Sequence, residues 1–171
     1  MKFFISKITW ISIMSIKKIV IFGTGGLGKE VFATLLRCNK KSKKYEVLGF
    51  IDDNPKLKEK KIMGKKILGG LEWFNHKRKS VYCVVAIGDG LIRKNIVKRL
   101  EEKNVQFLSF IDPSVICDDG LQIGNGTIIQ AGSIITVNVK IGNHVLINIG
   151  STIGHGCVLE DFTTISPGVH I

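Results

Sequence analysis

The stretch that decides the fold runs from residue 123 to residue 171 and, written in groups of six, reads IGNGTI IQAGSI ITVNVK IGNHVL INIGST IGHGCV LEDFTT ISPGVH I. Every group begins with isoleucine or leucine, and the same phase extends upstream to Ile111, with Cys117 in one aliphatic position. Neither a helix nor an alternating strand has a period of six. The spacing predicts a parallel β-helix in which three groups form one triangular coil and residues 18 apart stack about 4.8 Å apart.

The recurring aliphatic residues are expected to point into the prism, and glycine and asparagine to occupy its corners. The repeat reaches Ile171, an inward aliphatic residue, without a polar cap. Since a solenoid needs capped ends, we expect either a shortened chain or another structure that covers this end.

The first half of the chain alternates between apolar runs and helical patterns. This alternation predicts an α/β domain, a small Rossmann-like, doubly wound parallel sheet. The apolar runs are 18–22, 47–51, 81–87 and 105–111, and the helical stretches are 29–37 and 91–103.

A glycine-rich turn directly follows the first apolar run. Gly23, Gly25 and Gly28 match the pattern G-x-G-x-x-G, which offers a tight turn and free helix N–H groups to an anion. The acidic pair Asp52 and Asp53 ends the second run. We predict a nucleotide-like ligand here, and a turn that only packs is the alternative. The predicted binding residues of this half are Gly23, Gly25, Gly26, Leu27, Asp52, Asp53 and Gly88.

The charge is divided unevenly between the two halves. Residues 1–103 hold 24 of the 25 Lys and Arg, whereas residues 104–171 hold only Lys140. The basic half either attracts an anion or presents a solvated lysine-rich surface. The lysines show no pattern of a nucleic-acid-binding motif, so no nucleic-acid partner is expected.

Residues 1–16 are apolar with two lysines, too short for a membrane span. An appended segment, a membrane-surface anchor and a signal peptide all remain open for this stretch. The four cysteines lie far apart, which argues against a disulfide scaffold and favours a cytoplasmic protein. No cluster with metal-ligand spacing occurs, so no metal is expected.

Seven segments together resemble one family of enzymes. They are 19–26, 49–53, 86–89, 92–93, 111–114, 148–157 and 165–168. The chain resembles the sugar O- and N-acyltransferases of the sialic acid O-acetyltransferase and bacillosamine N-acetyltransferase type, which carry a left-handed hexapeptide-repeat β-helix.

The resemblance implies an acetyl-CoA-dependent acetyltransferase of cell-surface polysaccharide biosynthesis that acts on a sugar hydroxyl or amine. It implies that the first domain holds a nucleotide sugar or amino sugar, and that the chain forms a homotrimer with acetyl-CoA between neighbouring prisms. By motif, His155 is the general base; His155 and Thr164 lie at the cofactor site, and Asn148 at the substrate site. His144 does not stack on His155, and we expect it at a solvated corner.

Two departures from the family pattern leave other functions open. Gly156 stands where the family usually has a carboxylate beside the histidine, and Thr164 where some members have a second histidine. A truncated, non-catalytic trimer that binds sugar nucleotides is therefore the alternative, and a nicotinamide oxidoreductase rests on the glycine turn alone. The expected division is an appended segment at 1–16, the nucleotide-sugar domain at 17–104 and an incomplete β-helix at 105–171.

Overall fold

The computed structural model describes residues 16–76, 80–118 and 120–171. Residues 1–15, which make up most of the apolar N-terminal segment 1–16, lie outside the described residues, and so do the three alternatives for that segment. The elements of the first half are β1 (Lys17–Phe22), α1 (Gly26–Lys41), β2 (Tyr45–Ile51), β3 (Lys61–Ile62), β4 (Lys65–Lys66), β5 (Val81–Val85), α2 (Gly90–Glu101) and β6 (Gln106–Phe107). Two short 3-10 helices at Pro55–Leu57 and Leu71–Asn75 flank the small antiparallel pair β3–β4.

The first half forms a parallel sheet in the order β2-β1-β5-β6. The strands are buried on both faces because α1 and α2 cover them, which is why β1 and β5 are nearly continuous apolar runs. The chain runs from β1 to β2 on one side and then returns to β5 on the other side of β1. The carboxyl ends of β1 and β5 therefore flank a switch point, where open α/β sheets bind ligands.

The second half is a parallel β-helix built from two-residue strands. Its elements are β7 (Phe110–Ile111), β8 (Ile116–Cys117), β9 (Gln122–Ile123), β10 (Ile128–Ile129), β11 (Ile134–Ile135), β12 (Lys140–Ile141), β13 (Leu146–Ile147), β14 (Thr152–Ile153), β15 (Val158–Leu159) and β16 (Thr164–Ile165). Strands 18 residues apart pair in parallel and form three faces. The first face holds β7, β10, β13 and β16, the second β8, β11 and β14, and the third β9, β12 and β15.

The predicted inward column is confirmed. The second residue of each strand points into the prism, and Ile129, Ile147 and Ile153 are fully buried. Buried hydroxyls line the coils as well, since Thr127 donates to the carbonyl of Gly142 and Ser133 to that of Asn148. Each of these two buried hydroxyls thus has an acceptor in the next coil.

The first face of the prism packs against the first half of the chain. Its outward residues Phe110, Ile128 and Leu146 share one apolar cluster with α1. At the edge of this contact, the Arg37 guanidinium donates to the carboxylate of Asp112 at 2.6 and 2.9 Å. Burial raises the pKa of Asp112, but hydrogen bonds from Ser114 and Arg37 outweigh it and hold that pKa below its usual range.

One apolar run is divided differently from the prediction. The run 105–111 was expected as a single strand, but it forms β6, which pairs with β5, and β7, which begins the prism. The run serves two sheets because its residues meet different long-range partners. Among the described helices, none combines the length and the apolar character needed to cross a membrane.

Candidate functional site

The glycine turn connects β1 to α1, and at two of its glycines there is no room for a side chain. Gly23 has φ +108°, a conformation that favours glycine, and a Cβ there would lie 2.7 Å from the Ala86 carbonyl oxygen. A Cβ on Gly28 would lie 2.1 Å from the carbonyl oxygen of Gly23. In contrast, a Cβ on Gly25 or Gly26 would meet nothing within 4 Å. The turn therefore leaves open space at the N-terminus of α1, where backbone N–H groups favour an anion.

The two acidic residues after β2 are used differently. The Asp52 carboxylate accepts hydrogen bonds from the Thr24 hydroxyl in the glycine turn and from the Asn54 amide. Asp53 instead accepts from the Leu71 amide at 2.8 Å and from Arg99 at 3.2 Å. The structure thus brings Asp52 to the glycine turn, while Asp53 holds the segment that follows.

Gly88 follows β5, across the switch point from the glycine turn. Its carbonyl accepts from the Thr164 hydroxyl at 2.7 Å and from Arg93 at 3.0 Å. This loop is thereby held against β16 on the first face of the prism. Thr164, predicted at the cofactor site, uses its hydroxyl to contact the first half of the chain.

His155 lies elsewhere on the prism. It is exposed at the corner between β14 and β15, where the second face meets the third. Among the described residues, no group makes a hydrogen bond to its ring, so both nitrogens are open to an incoming ligand. The first half of the chain packs on the first face, so the glycine turn and His155 are not brought together within one chain.

Asn148 is placed on the first-face side of the third coil. Its side-chain amide donates to the Ile165 carbonyl at 3.0 Å, and its backbone amide donates to the same oxygen at 3.1 Å. The amide therefore ties two coils together. Its predicted substrate contact stays a prediction, and the structure does not place it beside His155.

The expectation that His144 is a solvated corner is wrong. Its side chain is only 4% exposed, stacks on Phe162 at 5.2 Å and meets the edge of Phe107 at 4.6 Å between ring centroids. The corner between the third and first faces lies beneath α2 and β6, which cover this position. Burial, reinforced by the charge of Arg93 and opposed by Asp161, lowers the pKa of His144 to about 4.

An open cavity of about 700 Å³ lies over this corner, between α2 and the prism. Lys94 and Lys98 line it from α2, and Asn125, Asn143 and Asp161 line it from stacked corners. Hydrogen bonds from the Asn143 backbone and side chain lower the pKa of Asp161. Sequence reasoning did not identify this cavity, because the contact between α2 and the corner joins residues about 50 positions apart.

The burial of His144 predicts a loss of stability in acid. The unfolded chain takes up a proton near pH 6.5, whereas the folded chain does so only near pH 4. The free energy of unfolding should therefore decrease as the pH falls from about 6.5 to about 4, by up to about 3 kcal/mol from this group. Denaturant unfolding measured at several pH values checks this slope.

The matched variant is His144→Phe, which keeps an aromatic ring against Phe162 and removes the titrating group. Its free energy of unfolding should vary less over the same pH window, whatever its value at neutral pH. An unchanged slope in His144→Phe would assign the acid sensitivity to other groups.

No group of three or more metal-ligating side chains occurs in the described residues. The cysteines Cys38, Cys83, Cys117 and Cys157 are free thiols. Burial raises the pKa of the Cys83 thiol far above its usual range, so this cysteine is an inert part of the core.

Comparison with known proteins agrees with both halves of the structure. The PglD N-terminal domain family matches residues 18–100. The chain is 30% identical over 149 residues to GDP-perosamine N-acetyltransferase from Escherichia coli, covering 86% of this chain and 66% of that protein. It is 32% identical over 125 residues to UDP-N-acetylbacillosamine N-acetyltransferase from Bacillus subtilis, covering 67% of this chain and 52% of that protein. The chain thus spans about two thirds of the length of the first relative and about half of the length of the second.

A solved structure is similar across both halves. PerB from Caulobacter crescentus, in complex with CoA and GDP-perosamine, superposes with a TM-score of 0.76 at 25% identity. The match covers 88% of this chain and 69% of that one. This likeness confirms the predicted fold class, a Rossmann-like parallel-sheet domain followed by a left-handed parallel β-helix.

Proposed function

This chain belongs to the sugar acetyltransferase family, and from that premise we propose that it transfers an acetyl group from acetyl-CoA to a nucleotide-linked amino sugar. The observation that carries the proposal is an exposed, unpartnered histidine at a corner of the β-helix, joined in one chain to an open glycine turn. Both relatives are N-acetyltransferases of nucleotide-linked sugars. An amine acceptor is therefore favoured over a sugar hydroxyl, and an amino sugar over a sialic acid.

The chemistry assigned to His155 is general base catalysis. The sugar amine attacks the thioester carbonyl, a C–N bond forms, and the C–S bond to CoA breaks. His155 accepts the proton that the amine loses, and a proton returns to the departing CoA sulfur, so that the products are the amide and free CoA. An imidazole titrates near neutral pH and suits this role. No metal is required for any of these steps.

The placement of the two half-sites supports a site shared between chains. The glycine turn belongs to the domain on the first face, while His155 lies at the corner between the second and third faces. A neighbouring copy that packs on the second face can bring its own bound sugar nucleotide toward this corner. We assign acetyl-CoA to the groove between adjacent prisms for the same reason.

The surface of the prism supports a homotrimer. The outward residues of the second face include Ile116 and Ile134, which are 65% and 38% exposed, and Val137 and Ile149 at its corners are about half exposed. The outward residues of the first face are equally apolar but are covered by α1. An exposed apolar face of this kind indicates an interaction surface.

The double substitution Ile116→Lys and Ile134→Lys should prevent the trimer. Two charges in the centre of a desolvated contact are unfavourable, so we expect sedimentation to show a monomer in place of a mass of three chains. The matched control is Leu36→Lys on α1, where Leu36 is 47% exposed outside the second face, and this variant should remain trimeric. A trimer that survives both lysines would assign the contact to another face.

The remaining assignments rest on the same evidence. We place the nucleotide-sugar domain at 17–104 and the β-helix at 105–171, with β6 pairing back across that division. The four free thiols suit a reducing compartment, which supports a cytoplasmic enzyme.

The activity is tested by incubating the chain with acetyl-CoA and either a GDP-linked or a UDP-linked amino sugar, and measuring free CoA. Release of CoA that depends on the amino sugar supports the proposal. Gly156 lacks the carboxylate that the resemblance implies beside the base, which favours a binding protein as the second candidate. That candidate predicts a rise in Tm with the nucleotide sugar, none with acetyl-CoA, and no release of CoA.

A further inference from the structure

Arg93 is the most deeply buried charged residue among the described side chains, with 1% exposure. It lies on α2, and burial lowers its pKa while the nearby Asp89 raises it. Of the two salt bridges in the described part of the chain, neither includes Arg93. Its charge is therefore compensated by backbone carbonyls and one hydroxyl, and not by a carboxylate in direct contact.

The hydrogen bonds of Arg93 join the two halves of the chain. On the nucleotide side, Nη1 donates to the carbonyls of Ile87 at 2.6 Å and Gly88 at 3.0 Å, at the end of β5. On the prism side, Nε and Nη2 donate to four acceptors in two coils. They are the carbonyls of His144 (2.9 Å), Phe162 (2.8 Å) and Thr163 (3.2 Å) and the hydroxyl of Thr164 (2.9 Å).

Beside Arg93, the start of α2 packs directly against the backbone of the prism. A Cβ on Gly90, the first residue of α2, would lie 2.6 Å from the Phe162 carbonyl oxygen. Thr164 also donates to the Gly88 carbonyl, so this one oxygen is held from both sides. Only a planar guanidinium supplies donors in directions that reach both halves at once, because a lysine ammonium has three donors at a single point.

We propose that Arg93 is a positioning residue that fixes the loop after β5, and with it the bound sugar nucleotide, relative to the prism. The inference rests on the proposed function. Because the prism also carries His155 toward a neighbouring chain, the angle between the two halves decides where the sugar amine arrives. Arg93 contacts neither reacting group and acts through the Gly88 loop. Loss of such alignment lowers the rate of a two-substrate reaction even when both substrates still bind.

The test compares Arg93→Lys with the wild-type chain and with Arg37→Lys. Arg37 is the matched control, since it also joins the two halves but contacts Asp112, far along the chain from Gly88. We expect Arg93→Lys to lower kcat at least about tenfold, with KM for the nucleotide sugar and for acetyl-CoA within about threefold of wild type. Arg37→Lys should leave kcat within about twofold.

A second readout separates this inference from the proposed function. Hydrogen exchange of the backbone amides in 88–90 and 162–164 should become faster in Arg93→Lys and stay unchanged in Arg37→Lys, whether or not the chain is active. If wild type releases no CoA but exchange responds in this way, the proposed function fails and the positioning contact stands.

Unchanged exchange in Arg93→Lys, or a kcat within twofold of an active wild type, would overturn the inference. If Arg93→Lys does not fold, Thr164→Val decides instead. This variant removes only the hydroxyl that binds Gly88 and Arg93, and it should lower kcat by at least about threefold and speed up exchange in 88–90. No effect on either quantity would contradict the role assigned to this contact.

Discussion

Replacing His155 with alanine should lower kcat for acetyl transfer by about 10²- to 10⁴-fold, the usual contribution of a general base. The physical reason is that the attacking amine must lose a proton as the C–N bond forms, and His155 is the group assigned to accept it. The binding of both substrates should change little, so the effect should fall on kcat more than on KM. Steady-state measurement of CoA release checks both quantities.

His76→Ala is the matched control for this experiment. His76 is an exposed histidine of the first domain, directly after the short helix Leu71–Asn75, and its loss should leave kcat within about twofold. Because His155 is exposed as well, neither substitution should shift Tm by more than about 2 °C. Equal rates for His155→Ala and wild type would remove this residue from the catalytic role.

The second large effect is expected in the prism interior. Ile147 is fully buried at the centre of the inward column, with a coil on either side. Ile147→Ala should lower the free energy of unfolding by about 2–5 kcal/mol, because the substitution removes buried methyl groups and leaves a cavity that stacked coils cannot close. Denaturant or thermal unfolding followed by circular dichroism measures the loss.

The control uses an outward position of the same kind of strand. Val158 is the first residue of β15 and is 59% exposed, so Val158→Ala should change the free energy of unfolding by no more than about 0.5 kcal/mol. Similar losses for the two variants would contradict the assignment of inward and outward columns.

The period of six alone determined the β-helix, because a residue's place in its group sets whether its side chain points inward. The interior of the prism at Ile129, Ile147 and Ile153 agrees with this reading. The turn after β1 was equally readable, since Gly23 and Gly28 occupy positions where any Cβ would collide with backbone. These features depend on short-range geometry, which local sequence specifies.

The period of six could not predict which outward residues are covered by other parts of the chain. His144 and His155 both occupy corners of the repeat, yet α2 and β6 bury the first and leave the second exposed. Arg93 lies in a segment that carries the family resemblance, but only the structure shows that the coils at 144 and 162–164 surround it.

The sequence by itself therefore determined the fold of each half and the glycine turn. It identified His155 through the family resemblance. Only the tertiary structure decided which corner is covered, that Thr164 binds the Gly88 loop, and that the glycine turn and His155 lie apart within one chain. The reason is that a repeat prescribes its own interior, whereas the cover over an outward side chain comes from elements distant in the sequence.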